Sequence, residues 1–289
     1  MGNKSSIKIQ EPENKHIQKL RALWKEAFGD TDEFLNMFFN TGFDVSRSRY
    51  VLIEDEVAAA LYWFDCELQK ESDSKKQKIA YIYAVATAKA YRGQGLCHQL
   101  MEDTHKHLKE QGYDGAILVP GSKALFAFYE KMGYQTFGKI EEFSCEASAE
   151  AIDIKEIQKE EYSSLRRAFL PENGVVQEGA NIDFLATYAK FYKGEEFLLA
   201  ACEEGRLLRG IELLTKKSSV DLCLGKIDIA GRIVNTLGYE KGVFRTPSGA
   251  MLSGQDNCNE NTPIEKDFAM FYALNAGVKF PEYFGLAFD

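Results

Sequence analysis

The segment Arg92-Gly93-Gln94-Gly95-Leu96-Cys97 has the residue types and the spacing of an anion-binding turn. Residues 78–87 before it form a nearly continuous apolar and aromatic run, which predicts a buried strand. After it, leucine and methionine recur at helical spacing, so a helix is expected to begin near Gly95. Glycines at such a turn let a phosphate reach free backbone N–H groups and the positive end of the helix dipole. The segment therefore predicts a phosphate site.

Two widespread phosphate motifs do not match this turn. A P-loop ends in Gly-Lys-Ser or Gly-Lys-Thr, whereas the turn ends in Gly95-Leu96-Cys97. The dinucleotide-binding fingerprint requires a third glycine, and that position is occupied by His98. Both motifs are therefore set aside.

A second segment follows at a suitable distance. Residues 115–120 have the pattern of a short strand, and residues 123–132 have the pattern of a helix that ends at Gly133. The C-terminal part of this helix reads Phe128-Tyr-Glu-Lys-Met-Gly-Tyr134.

Together the two segments resemble the signatures of the GNAT (Gcn5-related N-acetyltransferase) superfamily. The turn resembles the family pattern Gln/Arg-x-x-Gly-x-Gly/Ala, with Cys97 in place of the last small residue. The run from Phe128 to Tyr134 resembles the family pattern Tyr-Glu-Lys-x-Gly-Phe/Tyr, and Ser122 stands where the family often carries asparagine. Because the two motifs occur in order, separated by a helix and a strand of the right size, they indicate the family more strongly than either motif alone.

The resemblance implies acetyl-CoA as the co-substrate and assigns residues to its binding. Backbone N–H groups of the turn would bind the pyrophosphate, and the preceding strand would pair with the pantetheine amides; the residues concerned are Val85, Ala86, Thr87, Arg92, Gly93, Gln94, Gly95, Leu96 and Cys97. The N–H at about Val85 would polarise the thioester carbonyl. Tyr129 would be the general acid that protonates the leaving thiolate. The alternative for Tyr129 is a buried aromatic side chain on an apolar helix.

No general base stands out in the sequence. Asp65 and Glu67 on a predicted strand are candidates, and the Asp289 carboxylate is a third. Water also suffices as the proton acceptor for an amine that is partly deprotonated.

Several other side chains have two readings. Cys97 at a helix N-terminus is either a reactive thiol with a lowered pKa or a small residue beneath bound CoA. His98, Glu102 and His105 share one helical face, which is either a metal site or, in the favoured reading, a solvated polar face, so no metal is expected. Four aromatic residues of neighbouring strands either line the acceptor pocket or fill the core; these are Tyr62, Trp63, Tyr81 and Tyr83.

The expected order of elements is β-α-α-β-β-β-loop-α-β-α-β, which predicts an α/β (α+β) fold with a mixed, mostly antiparallel sheet flanked by helices. From residue 142 the pattern begins again, because Ile7 and Leu20 recur as Ile152 and Leu165, each 145 positions later. The second copy shows no glycine turn, and its last strands are expected at 268–275 and 283–289.

We therefore expect a catalytic GNAT domain over residues 1–145 and a degenerate GNAT-like domain over residues 146–289. This tandem resembles the acetyltransferases of the enhanced intracellular survival type without their third domain.

Composition supports an ordinary globular enzyme. The 289 residues suggest about two domains, and no apolar run reaches the roughly 20 residues of a membrane helix. The net charge of −9 argues against nucleic-acid binding and is compatible with a cationic amine substrate. Six scattered cysteines fit reduced thiols in the cytoplasm.

The predicted function is an acetyl-CoA-dependent N-acetyltransferase that acts by direct transfer on a small-molecule or peptide amine. The alternative is a non-catalytic acyl-CoA-binding or sensing protein.

Overall fold

The computed structural model describes residues 7–68, 76–151, 153–156, 160, 163–164, 167, 170, 172–193, 198–203, 206–214, 219–221, 230–247 and 264–284. Its helices are α1 (Ile17–Phe28), α2 (Asp32–Thr41), α3 (Leu96–Glu110), α4 (Lys123–Glu130), α5 (Ala180–Lys193) and α6 (Ala230–Thr236). In this part of the chain, no helix is both long enough and apolar enough to span a membrane.

The strands of the described residues are numbered in chain order. They are β1 (Ile7–Gln10), β2 (Ser48–Ile53), β3 (Glu56–Leu68), β4 (Gln77–Thr87), β5 (Gly115–Leu118), β6 (Gln135–Phe137), β7 (Ile140–Glu146), β8 (Asp153–Glu156), β9 (Val175–Gln177), β10 (Leu198–Glu203), β11 (Arg206–Leu214), β12 (Ser219–Asp221), β13 (Lys241–Pro247), β14 (Ile264–Lys266) and β15 (Ala269–Ala273).

Local sequence explains the first elements. Gly29 ends α1 in the left-handed conformation, with φ of 76°. Thr31 caps α2, because its side chain accepts a hydrogen bond from the Phe34 N–H. A tight turn joins β2 and β3 as an antiparallel hairpin, and Glu54 and Asp55 in this turn both adopt positive φ.

The strands form two sheets with the same pattern of pairing. The first has the order β1-β2-β3-β4-β5-β15-β6, with β9 also paired to β3, and the second has the order β14-β7-β13-β12-β11-β10-β8. Each sheet contains one parallel pair, β4 with β5 and β12 with β13, and its other described pairs are antiparallel. The prediction of a mixed, mostly antiparallel sheet is confirmed.

Each sheet is completed by a strand from the other half of the chain. In the first sheet β15 lies between β5 and β6, and in the second sheet β7 lies between β13 and β14. The strand expected at 268–275 therefore exists, but its hydrogen bonds place it in the first sheet and not at the end of the second. Of the other expected strand, Tyr283 forms an isolated bridge with Gly174, and residues 285–289 lie outside the described residues. The boundary at 145/146 stays a prediction.

The first sheet is covered on both faces. Alternate β3 residues point to opposite faces, so Tyr62 and Phe64 pack with α1, α2 and α5, whereas Leu61 and Trp63 pack with α3 and α4. This burial holds β4 rigidly at the centre of the sheet, where the predicted site begins.

Candidate functional site

Strand β4 carries a bulge at the predicted thioester site. Its register with β3 pairs Ala86 with Ala60 and Tyr83 with Tyr62, so Ala84 and Val85 together oppose a single residue. Ala84 adopts φ of 51°, which is costly for a residue with a side chain and is typical of functional sites. The bulge re-aims the backbone of Val85.

Beyond the bulge, one edge of β4 is free to pair with a ligand. The parallel pairing between β4 and β5 covers only Ile79–Tyr81, and β5 ends at Leu118. No described strand pairs with the β5-facing edge of residues 82–87. Backbone amides of an extended ligand have the hydrogen-bonding groups that such an edge requires.

The glycine turn follows β4 through a short 3₁₀ turn, Lys89–Tyr91. Two contacts hold this connection: the Arg92 Nε donates to the Thr87 carbonyl over 3.0 Å, and the Lys89 N–H donates to the Glu26 carboxylate over 2.6 Å. Gly93 and Gly95 have φ of 76° and 74°, the left-handed region that favours glycine. A Cβ built on Gly93 would have no heavy atom within 4 Å, so the turn opens onto free space.

Helix α3 begins directly at this space. Gly95 is its N-cap and offers no side chain, so the N–H groups of the first turn have no capping partner on that residue. A 15-residue helix adds the positive end of its dipole. The turn and the helix N-terminus therefore have the geometry of the anion site that the sequence predicts.

One cleft of about 560 Å³ brings the predicted residues together. Its floor is the β4 edge, and its walls come from α1, the glycine turn and α4. The lining residues are Ala27, Phe28, Val85, Ala86, Thr87, Tyr91, Arg92, Gly93, Gly95, Leu96, Cys97, His98, Leu125, Phe128, Tyr129, Lys131 and Met132. Of the predicted site residues only Gln94 is missing from this lining; its side-chain amide donates to the Ala90 carbonyl over 3.4 Å.

Tyr129 lies on α4 and lines the cleft while only 7% of its surface is exposed. Burial, and secondarily the nearby Cys97, raise the pKa of its hydroxyl well above the ordinary value. No described residue accepts a hydrogen bond from this hydroxyl. Tyr129 therefore carries its proton at neutral pH, and whether it acts as a general acid stays a prediction.

Of the two interpretations of Cys97, the structure disfavours the reactive thiol. Burial raises the pKa of its thiol from 9.0 to about 11, so at neutral pH the nucleophilic thiolate is scarce despite the adjacent helix N-terminus. Cys97 lines the cleft as a small apolar side chain.

The carboxylates considered as bases are engaged elsewhere. Asp65 accepts from Tyr113 and Arg47, and Glu67 pairs with Lys76 over 2.9 Å. Both line a separate cavity of about 400 Å³. Asp65 lies four residues along β3 from Leu61, which opposes the bulge; at about 3.3 Å per residue this is roughly 13 Å. The third candidate, Asp289, lies outside the described residues.

The α3 side chains considered as metal ligands make other contacts. His98 pairs with Glu102 over 3.3 Å, and His105 turns inward, with its Nε2 2.8 Å from the Tyr134 hydroxyl. Among the described residues, no three His, Cys, Asp or Glu side chains are grouped to hold a metal ion. The His105 ring also stacks on Tyr272 of β15, with 4.1 Å between centroids. Helical spacing does not reveal this cluster, because Tyr272 comes from the other half of the chain.

Burial of His105 makes stability depend on pH. Burial, and secondarily His98, lower its pKa from 6.5 to about 4. The unfolded chain therefore binds the proton first as pH falls, and stability is lost between about pH 6.5 and pH 4, by on the order of 2 to 3 kcal/mol. We expect His105→Gln to lose this part of the pH dependence in urea unfolding at pH 7.5 and 4.5. The exposed His98→Gln should retain it; equal pH dependence in both variants would contradict the assignment.

The four aromatic residues left open by the sequence belong to the core. Tyr62, Trp63 and Tyr81 are each at most 3% exposed. Tyr83 is partly buried, and its ring packs against Trp24 and Phe38 with centroids 5.7 and 5.9 Å away. None of the four lines the cleft itself.

Part of the chain is similar to a known protein family. Residues 8–137 match the family model described as an acetyltransferase (GNAT) domain. No curated protein sequence matches the chain.

Solved structures share the fold over most of the chain. A GCN5-related N-acetyltransferase from Anabaena variabilis is 15% identical, with 93% of this chain and 73% of that one aligned and a TM-score of 0.68. A probable N-acyltransferase from Enterococcus faecalis has the same identity and coverage and a TM-score of 0.67. Eis1 from Mycobacterium abscessus is 11% identical, with 93% and 74% covered and a TM-score of 0.61. At these identities the likeness shows the fold alone.

Proposed function

We propose, from the match of residues 8–137 to the GNAT acetyltransferase domain, that the protein is an acetyl-CoA-dependent N-acetyltransferase that transfers the acetyl group directly to an amine. One observation carries the proposal. The open glycine turn, the free edge of β4 and the protonated Tyr129 line the same cleft.

Two parts of the cleft would each hold one part of the donor. The N–H groups of residues 93–97 would bind the pyrophosphate at the start of α3, where a side chain at Gly93 or Gly95 would fill the space. The unpaired edge from Val85 to Thr87 would pair with the pantetheine amides. Bound there, acetyl-CoA supplies an activated acetyl group on a thioester.

Two groups of the chain would act on that thioester. Transfer forms a C–N bond and breaks the C–S bond, so the amine loses a proton and the leaving thiolate gains one. The Val85 N–H, re-aimed by the bulge, would donate to the carbonyl oxygen as negative charge develops. The Tyr129 hydroxyl would protonate the thiolate. Water would take the amine proton, since no Asp or Glu is among the described residues of the cleft.

The second half would support the first without acyl-CoA chemistry of its own. We regard residues 146–289 as a degenerate GNAT-like domain, on the basis of its parallel pair β12–β13 and its antiparallel neighbours. Its contribution to the first sheet is β15, which carries Tyr272. Cys66, Cys97 and Cys145 form no disulfide bonds, and reduced thiols of this kind fit the cytoplasmic location that we propose.

The test is thiol release from acetyl-CoA across a panel of amines, with Tyr129→Phe measured beside the parent. Loss of the general acid should lower kcat by roughly 100-fold or more while the Kd for CoA stays within a few-fold. Tyr188→Phe, a buried tyrosine outside the cleft, is the matched control. Unchanged turnover in Tyr129→Phe would remove this residue from the mechanism. CoA binding with no turnover on any amine would favour the alternative, an acyl-CoA sensor.

A further inference from the structure

The position of the acceptor is limited by the reaction. An attacking nitrogen must come within about 3–3.5 Å of the carbonyl carbon. This inference rests on the proposed function, in which the thioester carbonyl carbon lies beside the Val85 N–H at the bulge. The body of the acceptor must then lie against the residues around the bulge, and their chemistry selects the acceptor.

One exposed aromatic ring, Phe28, stands in the cleft, and two core rings lie behind it. These are Trp24, which is 2% exposed, and the partly buried Tyr83; neither lines the cleft. The Phe28 ring is 46% exposed and lines the cleft, and its centroid lies 5.5 Å from Trp24. The Trp24 centroid in turn lies 5.7 Å from Tyr83, the residue that precedes Ala84. A half-exposed phenyl ring on rigid aromatic neighbours is an apolar surface already in place for a ligand.

The ionisable groups of the cleft disfavour a second positive charge. The described residues that line the cleft include three basic side chains, Arg92, His98 and Lys131. They include no Asp or Glu. The described side chains of the cleft would give an ammonium group no counter-charge to offset its lost hydration, which is costly.

Two carboxylates lie near the C-terminal end of α1, and both accept hydrogen bonds from within the protein. Glu26 accepts the Lys89 N–H that precedes the glycine turn, over 2.6 Å. Asp30 accepts the Trp24 indole N–H over 2.7 Å. Neither lines the cleft. The alternative is a cationic acceptor, which would need a nearby carboxylate to bind its second positive charge. Asp30 is a carboxylate of this kind.

We infer that the acceptor is a primary amine carried on an aromatic or aliphatic body without a second charge, and that Phe28 determines this specificity. The reacting nitrogen enters as the free amine, and the rest of the molecule packs against the exposed Phe28 ring.

The experiment compares amines that differ in one group. Pentylamine and cadaverine have the same chain and differ only by the second ammonium, and phenethylamine adds a ring. We expect kcat/KM to be at least roughly tenfold higher for pentylamine than for cadaverine, with phenethylamine the best of the three.

Variants assign the effect to Phe28. Phe28→Ala should raise KM for phenethylamine by roughly tenfold and leave KM for acetyl-CoA unchanged. Phe280→Ala removes an equally exposed ring (42%) outside the cleft and should change neither constant. Asp30→Asn keeps an oxygen for Trp24 and should also leave the phenethylamine KM unchanged.

Three outcomes would overturn the inference: cadaverine equal to or better than pentylamine, a rise in KM for acetyl-CoA alone in Phe28→Ala, or loss of amine affinity in Asp30→Asn. Failure of the proposed function looks different, because then no amine in the panel releases CoA and the relative rates do not exist.

Discussion

A chain that ends at residue 145 is expected not to reach a native fold. It would lack β15, which lies between β5 and β6 in the first sheet. Without β15 both neighbours become open edges, and the side chains of Ala269, Met270 and Phe271, each at most 2% exposed, leave the core. Phe271 occupies the space over Gly115, where a Cβ would clash with its ring. The truncated chain should therefore aggregate or remain without fixed tertiary structure.

The measurement is near-ultraviolet circular dichroism and urea unfolding of residues 1–145 beside the full chain. We expect no cooperative transition from the truncated chain. A finer version keeps the whole protein: Phe271→Ala should lower the free energy of unfolding by about 3–5 kcal/mol, whereas the half-exposed Phe280→Ala should cost much less. A cooperatively folded fragment that binds acetyl-CoA would show that β15 is dispensable.

Replacement of Gly95 by valine is expected to abolish acyl-CoA binding. The residue has φ of 74°, so a β-branched side chain adds backbone strain of about 1–2 kcal/mol. The new side chain would also stand at the N-terminus of α3, in the space through which an anion reaches the N–H groups. The Kd for CoA should rise by roughly 100-fold or more, because several charge-assisted hydrogen bonds are lost together.

Gly112 provides the matched control. It lies just beyond α3, has φ of 78° and has no heavy atom within 4 Å of a built Cβ, but it does not line the cleft. Gly112→Val should therefore suffer the same backbone strain and bind CoA normally in calorimetry. Equal loss of affinity in the two variants would mean that strain, and not access to the turn, causes the defect.

The site could be predicted where its signals are local. The two glycines, the apolar run before them and the helical spacing after them all lie within some thirty residues, and each reflects a backbone requirement of the turn itself. The glycine turn, the start of α3 and the helix that carries Tyr129 therefore appear in the structure as the sequence predicts.

The structure differs from the sequence-based expectations where a property depends on tertiary packing. The chemistry of Cys97 follows from burial, which outweighs the helix dipole, and the dipole alone was visible in the sequence. In the sequence, Asp65 is a candidate base. In the structure, its strand register places it away from the bulge, where it contacts Arg47 and Tyr113. The bulge at Ala84 leaves no mark in the sequence, because an alanine there looks like any other strand residue.

The sequence by itself determined the glycine turn, the helix that follows it and the helix that carries Tyr129, because these depend on neighbours within a few turns of chain. Only the tertiary structure decided which strands complete each sheet. Met270 pairs with Leu118, which lies 152 positions earlier, and β7 leaves the first half to join the second sheet. An apolar strand can satisfy its hydrogen bonds beside many partners, so its place is chosen by the whole assembled core and not by its own residues.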